Sequence, residues 1–132
     1  MDETKHTGGC LCGGVRYEIR GGLRGVIACH CSQCRRTSGH YCAMTSAPNE
    51  RLSLTAAGTL VWYRSSASAE RGFCGVCGSN LFWRPHAENR TSITAGTFDT
   101  PTGLALERHI FVADKSDYYE IADALPKAPA WD

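Results

Sequence analysis

Cys10-Leu11-Cys12-Gly13-Gly14-Val15-Arg16-Tyr17-Glu18-Ile19-Arg20 is the stretch that sets the fold class of this chain. From Val15 onward apolar and polar residues alternate, the period of a strand buried on one face. Before it stand two cysteines one residue apart and a glycine pair suited to a turn. Outward from here, short runs of the same kind recur at 25–31, 41–45, 51–55, 59–63, 80–83, 91–95 and 108–112. Gly21-Gly22, Pro48-Asn49, Ala57-Gly58, Pro85-His86 and Pro101-Thr102-Gly103 separate them as turns. Helix is scarce. Residues 32–38 predict one short turn with Ser32 as N-cap and Gly39 as its end, and 118–125 a second, stopped by Pro126. The expectation is a mainly β protein of many short strands.

At 132 residues the chain reads as one domain, 1–132, with a core over about 8–126. Lys plus Arg is 14 and Asp plus Glu is 13, for a formal net charge of +1. That balance lacks the basic footprint of a dedicated nucleic-acid binder. The opening Met1-Asp2-Glu3-Thr4-Lys5-His6 is polar, with no export signal expected, and no run approaches the ~18 apolar residues of a membrane span. Eight cysteines without an export signal predict a reducing, cytoplasmic setting in which thiols stay free or hold metal. The alternative is a disulfide framework, which would scatter its cysteines rather than cluster them in chelating spacings.

All the cysteines except Cys42 fall into three groups: Cys10-x-Cys12, Cys29-x-Cys31-x-x-Cys34 and Cys74-x-x-Cys77. In Cys74-Gly75-Val76-Cys77-Gly78, two thiolates three residues apart grip one tetrahedral zinc if the backbone turns tightly, and Gly75 and Gly78 permit the positive φ of such a turn. In Cys10-Leu11-Cys12, positions i and i+2 of an extended strand share a face, so both sulfurs approach one metal. Together the pairs offer four thiolates, a closed structural zinc site whose metal contributes folding free energy. Cys29 and Cys31 share a strand face by the same parity, with Cys34 following on the turn. These three sulfurs converge on a second metal without help from elsewhere. The fourth place there is open to Cys42 or to a substrate, while His30 points to the opposite face. Cys42 reads rather as a small buried core residue.

The groups stand in order inside three longer motifs: Gly8-Gly9-Cys10-Leu11-Cys12-Gly13-Gly14-Val15-Arg16-Tyr17, then Cys29-His30-Cys31-Ser32-Gln33-Cys34-Arg35-Arg36-Thr37-Ser38-Gly39, then Arg71-Gly72-Phe73-Cys74-Gly75-Val76-Cys77-Gly78-Ser79-Asn80-Leu81-Phe82. This ordered signature, with His109-Ile110-Phe111-Val112 and the segment 119–126 behind it, resembles the family of glutathione-dependent formaldehyde-activating enzymes, which also includes centromere protein V. The resemblance implies coiled antiparallel β-sheets of the Mss-four-like kind with short helical turns, stabilised by zinc, two ions per chain. It implies that Cys10, Cys12, Cys74 and Cys77 form the structural site. Cys29, Cys31 and Cys34 then form the second zinc site, associated with glutathione and catalysis. The implied reaction is that of a carbon–sulfur lyase, condensing glutathione or a related thiol with formaldehyde or another small aldehyde to an S-hydroxymethyl adduct.

The chemistry fits that reading. Zinc with three thiolates carries net negative charge and is a weaker Lewis acid than zinc held by neutral histidines, so it suits thiol chemistry better than water activation. Arg35 and Arg36 are candidates to offset that charge or clamp a glutathione carboxylate, and His40 near the turn is a candidate acid–base or substrate-binding group. His30 and His109 lie on strands and read as structural histidines, and Trp62, Phe82 and Trp83 as core. Two other classes stay open: a non-catalytic glutathione carrier, and a zinc-binding structural or interaction domain with Cys42 completing the second site. Partners are therefore a small thiol and an aldehyde, with no nucleic acid and no membrane.

Overall fold

A computed structural model of the chain describes residues 4–131. Residues 1–3 of the polar opening, and residue 132, lie outside the described residues. Among these the chain forms β1 (Lys5–Gly9), β2 (Val15–Arg20), β3 (Val26–Cys29), α1 (Ser32–Ser38), β4 (Cys42–Pro48), β5 (Leu52–Ala57), β6 (Leu60–Arg64), β7 (Ala69–Cys74), β8 (Asn80–Pro85), β9 (Arg90–Thr94) and β10 (Leu106–Ile110). The fold is mainly β. By its contacts the chain divides into two compact units, 1–24 with 45–103, and 25–44 with 104–132. No helix among the described residues is long and apolar enough to cross a membrane.

In the first unit β1, β2 and β5 make an antiparallel sheet in that order. The alternation in β2 does what its period requires: Val15, Tyr17 and Ile19 are buried, the residues between them less so. Burying side chains of this size stabilises the fold by ~1.5–3 kcal/mol each. β6 to β9 form an antiparallel run ordered β9-β8-β7-β6. Its inner residues Leu81, Phe82 and Ile93 are fully buried. The Tyr17 ring meets Phe82 edge-on at 5.7 Å and Phe98 at 5.5 Å, a geometry that aromatic quadrupoles favour. Trp62 stacks on Phe82 at 5.9 Å and carries the Arg84 guanidinium over its ring at 4.6 Å. In β1, Gly8 lets Tyr17 approach: a Cβ there would lie 2.3 Å from the Tyr17 hydroxyl.

In the second unit β10 pairs parallel with β3, and β3 pairs antiparallel with residues 42–44 of β4. The outer edge of β10 takes the tail of the chain. The His109 and Phe111 N–H groups donate to Pro126 and Ala130 carbonyls at 2.9 Å each, and Ala128 N–H donates back to His109 at 3.0 Å. Two expectations need correction here. β3 ends at Cys29, so His30 and Cys31 have already left the strand. Residues 118–125 form no helix, because Tyr119 and Asp123 are drawn instead to buried histidines, and Asp123 Oδ1 accepts the Leu125 N–H at 3.0 Å. Helix α1 is present over the predicted residues, but its N-cap is Cys31 rather than Ser32. The Cys31 sulfur accepts the Cys34 N–H at 3.3 Å, and Gly39 closes the helix in the left-handed region at φ 85.

Candidate metal centres

Cys10, Cys12, Cys74 and Cys77 bring their sulfurs within 4.8 Å of one another. Two of the separations are 3.7 Å (Cys10 to Cys12) and 3.6 Å (Cys12 to Cys74). A tetrahedral zinc with Zn–S bonds of about 2.3 Å sets its sulfurs ~3.8 Å apart, so this cage has the right edge. The Cys10 and Cys12 pair reaches it differently from the strand parity expected. Both lie on the turn between β1 and β2, closed by Cys10 N–H to Val15 at 3.0 Å and Gly13 N–H to Cys10 at 3.2 Å. Gly13 has φ 83. On the other side, Cys74 ends β7 and the next residues wrap it: Val76 and Cys77 N–H both donate to its sulfur at 3.4 Å, and Gly78 N–H to its carbonyl at 2.9 Å. Only Gly78 of the two glycines has positive φ, at 80. Gly75 is required for space, since a Cβ there would lie 2.9 Å from the Val61 side chain.

Two hydroxyls that the cysteine spacing did not point to complete this cage. Ser79 Oγ accepts the Leu11 N–H at 3.0 Å and lies 3.2 Å from the Cys77 sulfur, so its proton is directed at the sulfur. Thr59 Oγ1 lies 3.2 Å from the Cys74 sulfur. The Ser79 hydroxyl and backbone pull the Cys77 thiol down to about 5. Cys74 is lowered by the Cys77 N–H and the Thr59 hydroxyl. Cys12 goes the other way. The Gly14 N–H lowers it, but the Cys74 and Cys10 sulfurs and burial outweigh that and push it up to about 11. Clustered thiols cannot all ionise without a cation among them. The donor set and its electrostatics fit zinc.

Cys29, Cys31 and Cys34 form the second group, again within 4.8 Å of one another. Cys29 ends β3, Cys31 caps α1 and Cys34 is the buried residue of that helix. The contacts with Cys31 and Cys34, with burial, push the Cys29 thiol well up. For Cys31 the Cys29 contact is favourable to ionisation, but Cys34 and burial leave it raised. This set too fits a soft divalent cation, the one species that lets adjacent thiols ionise together. Cys42 stands opposite Cys29 in the β3–β4 register and is buried, yet lies outside the group. No fourth protein ligand joins the three among the described residues.

The histidines of this unit are not isolated. His30 and His109 are both buried. His30 Nδ1 is 2.6 Å from the Tyr119 hydroxyl, His30 Nε2 is 2.9 Å from His109 Nδ1, and His109 Nε2 is 2.8 Å from Asp123 Oδ2. Burial, then the His109, His40 and Lys115 charges, bring His30 down to about 4. The His109 ring holds the Asp123 carboxyl below its usual range. His40, a predicted site residue, is exposed and hydrogen-bonds through Nδ1 to the Tyr118 hydroxyl. Its ring lies 4.5 Å from Tyr41 and 4.6 Å from Tyr119. Arg35 donates from Nε to the Asp114 carbonyl at 3.1 Å, and Arg36 is exposed on α1. Sequence reading held Tyr119 and Asp123 only as members of the closing segment 119–126 and gave neither a role; they are 89 and 14 residues from their histidine partners.

Comparison with known proteins finds relatives of this chain in sequence and in fold. A protein of Schizosaccharomyces pombe named as an uncharacterized lyase is 26% identical over 123 residues, covering 90% of this chain and 87% of that protein. A crystal structure of a Rhodobacter sphaeroides protein is similar in fold, with a TM-score of 0.63 at 20% identity, covering 92% of this chain and 98% of that one. Residues 5–114, which hold all seven clustered cysteines, match the glutathione-dependent formaldehyde-activating enzyme family, and the chain belongs to that family.

Proposed function

We propose that this chain is a carbon–sulfur lyase of the S-(hydroxymethyl)glutathione synthase type, condensing glutathione or a related thiol with formaldehyde or another small aldehyde. In this reading Cys10, Cys12, Cys74 and Cys77 hold a structural zinc, and Cys29, Cys31 and Cys34 hold a second. The observation that carries it is the composition of the second group: three sulfurs converge and Cys42 stays outside. A set that the protein does not close with a fourth ligand keeps a position for an incoming thiol. The S. pombe relative's name, a lyase, supports the same class of reaction.

The chemistry an ion supplies when bound there is charge, which favours thiolate over thiol. The rest falls to the chain. Holding thiol and aldehyde together makes a bimolecular addition local. As the C–S bond forms, the carbonyl π pair moves to oxygen, and that oxygen takes up a proton. Arg35 is tied to the Asp114 carbonyl through Nε, which leaves exposed Arg36 the better-placed guanidinium for a glutathione carboxylate. His40 and Tyr118, hydrogen-bonded to each other and exposed, offer polar contacts for a peptide substrate.

The test is direct. Metal is counted per chain, and the rate of exchange between glutathione plus labelled formaldehyde and their adduct is followed by NMR with and without protein. Two zinc ions per chain and an exchange rate that rises with protein and collapses in Cys34→Ser support the proposal. Tight glutathione binding with no rise in exchange would make the chain a carrier. Two zinc ions and no response to glutathione would make it a structural domain.

A further inference from the structure

The four-cysteine cage is assembled from two stretches of chain far apart in sequence. Residues 10–14 supply Cys10 and Cys12, and residues 74–79 supply Cys74 and Cys77. The N–H groups of Val15, Val76 and Cys77 each serve a sulfur of their own half. Bonds of that kind shape one half at a time. Two hydroxyl side chains, neither of them a metal ligand, touch both halves. Ser79 stands two residues beyond Cys77. Its oxygen accepts the Leu11 N–H of the other half at 3.0 Å and lies 3.2 Å from the Cys77 sulfur. Thr59 stands on the turn between β5 and β6, with Oγ1 3.2 Å from the Cys74 sulfur and its carbonyl accepting the Gly75 N–H at 2.7 Å. Its side chain rests on the first half as well. A Cβ at Gly14 would stand 2.3 Å from Thr59 Oγ1 and 2.8 Å from its Cγ2.

Hydrogen-bond direction follows from counting protons. A hydroxyl carries one proton, and the Ser79 oxygen already accepts from Leu11. A sulfur that holds a metal has given up its own proton. The Ser79 proton is therefore donated to Cys77, and the Thr59 proton to Cys74. Neither oxygen competes for the ion, because four sulfurs already complete a tetrahedral set and each hydroxyl turns its proton, not a lone pair, toward the cage.

We propose that Ser79 and Thr59 are positioning residues of the four-cysteine cage. Each donates to one metal-binding sulfur while its residue holds the opposite half, so the chain itself sets the two halves at the spacing of the ion and slows the ion's release. This rests on the reading of Cys10, Cys12, Cys74 and Cys77 as a zinc site. Groups that orient metal ligands in this way are worth ~10–100-fold in metal affinity. Thr59 also explains why position 14 is glycine: any side chain there would push the hydroxyl off Cys74.

The test uses the full-length, metal-loaded chain with Ser79→Ala and Thr59→Val, which remove a hydroxyl and keep the bulk, and with Thr59→Ser, which keeps the hydroxyl and removes the methyl. Competition with a chelator gives zinc affinity and release rate, and melting temperature reports on the fold. Cadmium NMR of the cadmium-loaded chain reads each site separately, the signal unchanged in Cys34→Ser being that of the four-cysteine cage. Ser79→Ala and Thr59→Val should each weaken zinc at the cage by ~10-fold, release it faster, and fill with metal when zinc is in excess. Each should also shift the cage's cadmium signal and leave the other in place, since a lost O–H···S bond changes the electron density of one sulfur. Thr59→Ser should behave as the parent. Parent-level zinc retention in either hydroxyl-deleted variant, an unmoved cage signal, or a Thr59→Ser as weak as Thr59→Val would each overturn the proposal. A Cys34→Ser chain that stays folded and holds no metal would instead overturn the four-cysteine site itself, and the role of both hydroxyls with it.

Discussion

Replacing Cys10 with serine separates the two cysteine groups by their effect on stability. Cys10 is buried, its sulfur accepts the Val15 N–H at 3.2 Å, and it lies 3.7 Å from Cys12. A structural zinc contributes ~10–16 kcal/mol, so one thiolate of four is worth ~3–4 kcal/mol. An independent route gives a similar size. The Cys12–Cys74 contact spans 62 residues, and a cross-link over that span restricts the unfolded chain by ~4 kcal/mol. Domains of this size have ~5–15 kcal/mol in all, so Cys10→Ser should melt roughly 10–15 °C below the parent. Cys34→Ser removes a sulfur from a group confined to residues 29–34, where no distant parts of the chain are tied. It should melt within about 5 °C of the parent yet lose the thiol response. Thermal unfolding followed by circular dichroism, with metal counted on the same samples, measures both. The assignment is refuted if Cys34→Ser is the less stable of the two, or if Cys10→Ser melts with the parent and keeps its metal.

Other outcomes follow from particular contacts. Cys42→Ala should cost ~1 kcal/mol in a urea titration and leave the metal count unchanged, because Cys42 is buried but outside the sulfur group. Gly8→Ala drives a Cβ to 2.3 Å from the Tyr17 hydroxyl and 2.4 Å from the Thr97 carbonyl, and overpacking of that kind should cost ~1–3 kcal/mol or more by the same assay. Gly39→Ala forces alanine into φ 85 at the end of α1, for ~1–2 kcal/mol. Asp99 is held below the usual carboxylate range by Arg16 first and the Thr7 hydroxyl second. Its contribution is therefore present above the unfolded-state pKa and lost as pH falls through the folded one. Asp99→Asn should flatten the acid limb of a stability-versus-pH curve.

What the sequence made legible was local. The period of Val15–Arg20 depends only on adjacent residues, and β2 has those bounds and that inward face. The sorting of cysteines into a pair of pairs and a local triple also survives, although turns rather than strand parity bring the sulfurs together. Long-range effects hid the rest. β7 carries Arg71 and Gly72 in its middle, a poor strand by composition. It forms because a Cβ at Gly72 would stand 3.0 Å from both Phe82 and Trp62, so the glycine is the condition for their packing. Lys5-His6-Thr7-Gly8-Gly9 has no apolar period, yet it pairs with residues 16–20 of β2. Residues 118–125 look helical in isolation, and tertiary hydrogen bonds from Tyr119 and Asp123 override that preference.

The two sulfur groups differ in what surrounds them, and that difference bears on which one can react. Around Cys10, Cys12, Cys74 and Cys77, backbone N–H groups of Val15, Val76 and Cys77 and the hydroxyls of Thr59 and Ser79 all approach sulfur. Such donors draw electron density from a thiolate, and at this site they lower Cys74 and Cys77, while Cys12, pressed by the other sulfurs, is raised. A thiolate so stabilised is a weak nucleophile. In the other group Cys29 and Cys31 are both raised, because neighbouring sulfurs and burial outweigh the donors. Sulfur there keeps its electron density, and a cation held by the three would be what ionises it. Sulfur nucleophilicity is greater where neighbouring sulfurs and burial outweigh the donors, which supports the proposed assignment of the thiol chemistry to Cys29, Cys31 and Cys34.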